Sequence, residues 1–202
     1  MKLHTEAVDL VLWNLLLDLM ATGPLRDFNL AGGTALGLLY GHRTSVDLDL
    51  FSDQAFDAPK LGTFLTERFG LAESSIESNS VTGVIRGIRV DCIAHRYPMI
   101  AEPQHRDGIR LLAVEDIAAM KLNAIANRGS KKDFWDLYEL MQHFDRPQLL
   151  GFFKQKYPSA NLWTVEKSLL WFDDADMDPD PRCLKGRSWM QIRDAIAEWN
   201  RL

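Results

Sequence analysis

The chain has 202 residues, 47% of them hydrophobic and 25% charged, with a formal net charge of -5. That composition supplies one full core or two small lobes and excludes a disordered chain. The acidic balance argues against broad, sequence-independent capture of nucleic acid, which needs clustered Lys and Arg, and leaves room only for a local basic patch.

The first residues lack the basic start and the uninterrupted apolar stretch of a signal peptide. No apolar run is long enough to span a membrane, so a cytoplasmic protein with no membrane partner is expected. From Ala7 to Met20, Val8, Val11, Leu12, Leu15, Leu16 and Leu19 recur at helical spacing and predict an amphipathic helix, closed by Gly23-Pro24. Phe28 to Ala31 reads as a short strand running into Gly32-Gly33. A short helix over 34–40 follows, stopped at Gly41, and Val46 to Phe51 returns to strand periodicity.

A helix is expected over 59–69. The β-branched runs 81–86 and 88–94, with Gly87 between them, predict an antiparallel hairpin. Beyond Pro103 the character changes to helical periodicity at 114–127 and 131–143. Gly129 suits the first helix end, and Ser130 the next N-cap. A helix near 162–172, an acidic loop over 173–181, and a last helix begun by Ser188 with Gln191 at capping-box spacing complete the chain. The fold class is therefore α+β: a lobe with a small mixed sheet flanked by helices over 1–110, then a helical lobe over 111–202, with a cleft between them.

Within Val46-Asp47-Leu48-Asp49-Leu50-Phe51, the pleat sends Asp47 and Asp49 to one face and Leu48 and Leu50 to the other. The two acids stand roughly 7 Å apart at Cα. Adjacent carboxylates repel unless a cation sits between them, and Mg²⁺ takes such oxygens at about 2.0–2.1 Å. Asp91, inside the apolar run Val90 to Ile93, completes a triad if its strand lies beside the first. Three carboxylates can hold two metal ions about 3.5–4 Å apart, one activating an attacking hydroxyl and one neutralising a phosphate leaving group. Gly32-Gly33-Thr34, at a strand-to-helix junction, offers backbone N–H groups and a positive helix end to the phosphates of an NTP. Taken singly, an Asp-x-Asp pair is most often a solvated strand edge and a Gly-Gly pair a turn; order and spacing carry the argument.

Cys92 and Cys183 have no pairing or metal-ligand pattern, so two reduced core thiols are expected. Asp174, Asp176 and Asp178 match the opening of a calcium loop, but Pro179 replaces the required glycine and Lys185 the closing glutamate, so calcium is rejected. The tryptophans at 13, 135, 163, 171, 189 and 199 are expected mostly in the core.

Gly32-Gly33-Thr34-Ala35-Leu36, then Gly41-His42-Arg43-Thr44-Ser45-Val46-Asp47-Leu48-Asp49, then Val90-Asp91, resemble the signature of polymerase-β-like nucleotidyltransferases. The run is closer still to the AbiEii/AbiGii abortive-infection toxins, with Gly-Gly-Thr-x-Leu followed by His-Arg-x-Ser-x-Asp-Leu-Asp. Two downstream segments, Glu115 to Ala124 and Arg128 to Leu137, are similar to that family's helical motifs, and the resemblance spans roughly 29–140.

The resemblance implies a two-metal, Mg²⁺-dependent enzyme moving an NMP from an NTP to an acceptor hydroxyl. It further implies an RNA acceptor, such as a tRNA 3′ end, and a cognate antitoxin protein as partner. Asp47, Asp49 and Asp91 would hold the metals, with Asp91 helping to activate the nucleophile. Lys121 would contact nucleotide phosphates, with Asp133 or Asp136 orienting it. The nucleotide site would further include Gly32, Gly33, Thr34, Arg43 and Ser45. Plainer readings stay open: Lys132 and Asp136 as a surface pair, Asp133 as a cap behind Ser130, Lys121 as a snorkelling surface lysine, and His42 and Arg43 as complements to a helix end. Modification of a small molecule or a protein, and a non-catalytic nucleotide-binding module, are the functional alternatives.

Overall fold

A computed structural model describes residues 2–201. Its sheet is mixed and seven-stranded, built from β1 (Asn29–Leu30), β2 (Asp47–Ser52), β3 (Ala72–Glu77), β4 (Ser80–Ile85), β5 (Ile88–Ala94), β6 (Gln104–Arg106) and β7 (Ile109–Leu111), in the order β3-β4-β5-β2-β1-β7-β6. The helices are α1 (Leu10–Met20), α2 (Gly32–Tyr40), α3 (Ala58–Phe69), α4 (Val114–Asn127), α5 (Lys131–Leu140), α6 (Arg146–Lys156), α7 (Leu162–Ser168), α8 (Asp173–Met177) and α9 (Trp189–Trp199). Everything after β7 is helical or loop, as the α+β pattern predicts.

The centre of the sheet follows from its periodicity. In β2 the side chains of Leu48 and Leu50 are fully buried while Asp47 and Asp49 stay partly open on the other face. Each such leucine contributes about 1.5–3 kcal/mol by leaving water. The β4–β5 hairpin forms around Arg86 and Gly87, both with positive φ (53° and 78°), the geometry of a turn matched to strand twist. β5 then lies parallel to β2, a pairing that the intervening α3 crossover makes available.

Asp9 caps α1 by accepting from the Leu12 N–H, and Leu12, Leu15, Leu16 and Leu19 bury its inner face. Arg110 on β7 closes the other end, its guanidinium donating to the carbonyls of Met20, Leu25 and Phe28 at 2.8 to 2.9 Å.

Several elements depart from the sequence expectation. The strand β3 is exposed along its whole length and held by backbone pairing to β4, so no hydrophobic alternation announced it. β6 and β7 form a hairpin around Asp107-Gly108, and α6 starts with a full capping box from Asp145 and Gln148. The acidic stretch is not all loop, since Asp173–Met177 form the short helix α8. Ser130 sits at the N-cap of α5, but its hydroxyl goes to the Asp133 carboxylate rather than to a backbone N–H. Of the tryptophans, Trp135 is buried, Trp13, Trp189 and Trp199 pack against the core, and Trp163 and Trp171 are exposed. Among the described residues no helix is long and apolar enough to cross a membrane.

Candidate active site

Two strands, β2 and β5, set the acids in place. Parallel pairing puts Asp49 directly opposite Asp91, with Asp47 opposite Arg89, so all three carboxylates leave the sheet on one face. The third acid in the sequence is thereby a neighbour of the first two in space, 42 positions notwithstanding. Burial pushes the Asp49 carboxyl above its usual range; Lys121 opposes this, and Asp91 and Asp47 reinforce it. Oδ1 of Asp91 is buried without a hydrogen-bond partner among the described residues, although Arg89 Nε lies 3.2 Å from the group.

The glycine pair has a specific task. Gly32 adopts φ +67°, and a Cβ there would stand 2.0 Å from Asp49 Oδ2. A Cβ on Gly33 would stand 2.0 Å from an Arg43 terminal nitrogen. Real Cβ atoms do not approach so closely, so the two glycines admit the Asp49 carboxylate and the Arg43 guanidinium against the first turn of α2. The positive end of α2 then faces Asp49. Thr34 locks the entry to β2: its hydroxyl donates to the Asp47 carbonyl and lies 2.8 Å from Ser45 Oγ.

Behind the acids lies a buried ion cluster. Asp136, with no exposure, accepts from His42 Nε2 (2.8 Å), from Arg43 through Nε (2.6 Å) and a terminal nitrogen (2.8 Å), and from Lys121 Nζ (2.8 Å). Asp133, equally buried, holds Lys121 Nζ at 3.0 Å, Arg128 Nε at 2.8 Å and the Ser130 hydroxyl at 2.6 Å. Burial alone would raise the pKa of both acids; Arg43 and Lys121 hold Asp136, and Lys121 and Arg128 hold Asp133, well below the usual carboxylate range. Burial likewise would lower Lys121, but Asp136 and Asp133 keep it charged. The bidentate Arg43–Asp136 fork is the strongest geometry available to such a pair.

Lys121 and Arg43 are thus both buried and spoken for by carboxylates, while Lys132, half exposed, reaches towards Asp47 Oδ2 at 3.6 Å. Lys132 and Asp136 do not form a surface pair: consecutive turns of α5 send Lys132 to the cleft and Asp136 inward. In the sequence Lys132 is expected only as a surface partner of Asp136, not as a site residue. Its position one residue before Asp133, at the open start of α5, was the available signal.

Two clefts meet at Asp49. One, of about 470 Å³, is lined by Arg43, Ser45, Asp47, Lys121, Arg128 and Lys132 and walled by Asp178 to Arg182. The other, of about 430 Å³, carries Asp91, Phe51, His95, Met120, Asn123 and Tyr157. The wall of the first is a strap that begins inside the expected acidic loop (173–181) and runs past it to Leu184. Arg43 and Cys183 make an antiparallel bridge, Thr44 N–H donates to the Arg182 carbonyl and Leu184 N–H to the His42 carbonyl, each at 2.9 Å. Lys131 anchors the strap through Asp180 at 3.0 Å and through the Asp178 carbonyl. Pro179 and Pro181 keep it extended.

The acids fit a divalent cation in chemistry: oxygen donors on one face, the Asp49 carboxyl disfavoured as an anion by burial and by the nearby Asp91 and Asp47, and an Asp91 oxygen without a hydrogen bond. As placed, no three His, Cys, Asp or Glu among the described residues are drawn together tightly enough to close around a single ion. Chemically the arrangement can hold metal-bound phosphate against the acids, with Lys132 and Arg128 as the cations open to it.

An uncharacterized protein of Aquifex aeolicus (strain VF5) is 36% identical over 162 residues, 77% of this chain and 79% of the relative. A crystal structure of a candidate nucleotidyltransferase from Helicobacter pylori shares the fold with a TM-score of 0.56 at 18% identity, covering 95% of this chain and 90% of that one. The family model described as "Nucleotidyl transferase AbiEii toxin, Type IV TA system" matches residues 14–111 and 97–199, and the chain therefore belongs to the AbiEii family of nucleotidyltransferase toxins.

Proposed function

We propose that this nucleotidyltransferase moves an NMP from an NTP to an acceptor hydroxyl, that the acceptor is RNA and specifically a tRNA 3′ end, and that the chain acts in the cytoplasm as the toxin of a pair whose antitoxin protein restrains it. The observation that carries the catalytic part is the register of β2 and β5, which sets Asp49 opposite Asp91 with Asp47 two residues along on the same face. The RNA and antitoxin parts rest on family membership.

Asp47, Asp49 and Asp91 are the residues that would hold Mg²⁺, which when bound supplies Lewis acidity towards the acceptor hydroxyl and the pyrophosphate. In the reaction proposed, the acceptor oxygen bonds to the α-phosphorus as the bond to pyrophosphate breaks, and Asp91 takes up the hydroxyl proton. Lys132 and Arg128 bind the β- and γ-phosphates as charge-assisted donors. Lys121 and Arg43, pinned by Asp133 and Asp136, hold the floor of the site and set the field around Asp49. Residues 1–110 act as the catalytic lobe and 111–202 as the helical lobe that completes the cleft.

The test is incubation of the purified protein with each labelled NTP, Mg²⁺ and total RNA, comparing wild type with Asp49→Ala and Asp91→Asn. Label in RNA and free pyrophosphate are expected from wild type and from neither variant. Labelling that survives Asp49→Ala refutes the mechanism. Label in the small-molecule or protein fraction instead replaces the RNA acceptor, and nucleotide binding without pyrophosphate release makes the chain a binding module.

A further inference from the structure

The two clefts at Asp49 differ in kind. The strap-walled cleft presents cations and hydroxyls together with the carboxylates of Asp47, Asp49, Asp178 and Asp180, and among the described residues no aromatic ring lines it. The cleft beyond Asp91 shares Asp49, Lys121 and Arg128 with the first but adds what that one lacks: rings from Phe51, His95 and Tyr157, the Met120 thioether and the Asn123 and Asn127 amides. The rings form a continuous set. Phe51 lies 5.5 Å from His95, and His95 lies 4.7 Å from Tyr97 with a tilt of 41°. Tyr97 stands 4.8 Å from Tyr157, whose hydroxyl is 3.1 Å from His95 Nε2. Tyr97, 48% exposed beside the exposed Arg96, is the outermost member and packs behind the lining residues His95 and Tyr157.

The set is held in place before any ligand arrives. Asp116, fully buried, accepts from the N–H groups of Ile100 and Ala101 and from Lys156 Nζ at 2.6 Å. That junction fixes the loop after β5 to the end of α6, and so Tyr97 to Tyr157. Burial, with Lys156 adding, holds the His95 imidazole at about 4, so it is a neutral ring at physiological pH and presents a π-face rather than a charge.

Resting on the transferase reading above, we propose that this aromatic chamber receives the terminal nucleoside of a single-stranded RNA acceptor, its base stacked on Tyr97 and His95 and its free hydroxyl directed at Asp91, while the NTP triphosphate occupies the strap-walled cleft. Stacking on rings suits a chain with a net charge of -5, because it supplies affinity without the wide basic surface that duplex capture requires. It also selects unpaired ends, whose bases have a face to offer.

The experiment measures binding of a fluorescent single-stranded RNA with a free 3′ end, and of the same sequence as a blunt duplex, alongside KM for NTP and for RNA. Wild type is expected to prefer the single strand. Tyr97→Ala weakens that binding and raises KM for RNA by about tenfold, the loss of one stacked base, with KM for NTP unchanged. Tyr97→Phe, which keeps the ring, stays within about twofold of wild type by the same stacking argument. His95→Leu provides a second variant deeper in the chamber, expected to move the same constant. A rise in KM for NTP with RNA binding intact means that the chamber seats the incoming base, and overturns the proposal. So does RNA binding that none of these variants alters. Label transfer to RNA that persists unchanged in Tyr97→Ala overturns the chamber alone; transfer by wild type exclusively to another class of acceptor overturns the RNA reading itself.

Discussion

Asp136 offers the sharpest test of the buried ion cluster. Its carboxylate, with no exposure, compensates Arg43 in a bidentate fork, Lys121 at 2.8 Å and His42 at 2.8 Å. Removing one partner of a buried pair typically costs about 3–5 kcal/mol, because the charge left behind has neither water nor a counterion. In Asp136→Asn, Lys121 keeps Asp133, whereas Arg43 is left with the more distant fields of Asp133 and Asp47. We expect a loss of about 4 kcal/mol, which for a chain of this size lowers Tm by roughly 8–16 °C. Urea unfolding followed by circular dichroism measures it.

Acid adds a second signature. Arg43 and Lys121 hold the folded-state pKa of Asp136 well below the usual value. The group therefore stabilises the fold fully above its unfolded pKa of about 3.9 and loses that contribution as pH falls through the folded value. Wild type should lose stability on acidification below about pH 4, and the Asn variant should show a flatter acid limb. A loss under about 1 kcal/mol at pH 7 would equate the cluster with an exposed ion pair and refute the argument.

Two further substitutions separate the parts of the site. Gly32→Ala places a methyl 2.0 Å from Asp49 Oδ2 and forces φ +67° on a residue with a Cβ. Nucleotidyl transfer should fall by about a hundredfold, as expected for a reacting group displaced by an ångström, while the fold loses about 1–2 kcal/mol; parallel transfer and thermal-unfolding assays check both. Lys132→Ala removes a half-exposed cation 3.6 Å from Asp47. Unfolding free energy should stay within about 0.5 kcal/mol of wild type, and KM for NTP should rise roughly tenfold through loss of a charge-assisted contact; unchanged KM would remove Lys132 from the phosphate site.

Legibility in the sequence tracked burial and backbone chemistry. Alternation in Val46 to Phe51 placed Asp47 and Asp49 on one face because Leu48 and Leu50 have to enter the core. The hairpin at Gly87 and the capping box at Ser188 were equally readable, since each needs specific side chains at fixed spacing. β3 was not, because an edge strand with every residue exposed carries no hydrophobic signal. The Asp107-Gly108 turn and the Asp145 to Gln148 box were present as chemistry, but the elements they join are too short or too weakly patterned to stand out. Register across β2 and β5 needed the structure: periodicity says which face Asp91 takes, not which residue it meets. The same holds for the ion cluster, whose Arg43 to Asp136 pairing spans 93 positions. The strap is held at 182–184 by two backbone bonds, which leave no mark on side-chain pattern, and at 178–180 by Lys131, about 50 positions away in the sequence.

That strap also bears on the order in which the enzyme comes into being. It joins residues about 140 positions apart, and ring closure over that distance costs roughly 1 kcal/mol more chain entropy than bringing β5 to β2. Strands 47–52 and 88–94 leave the ribosome well before residues 178–184, and folding during synthesis favours the earlier segments. A nascent molecule therefore displays its acidic trio with one side of the strap-walled cleft still missing. The cleft is closed on that side only when a short proline-stiffened segment arrives, so the emergence of residues 178–184 is the step that completes its wall.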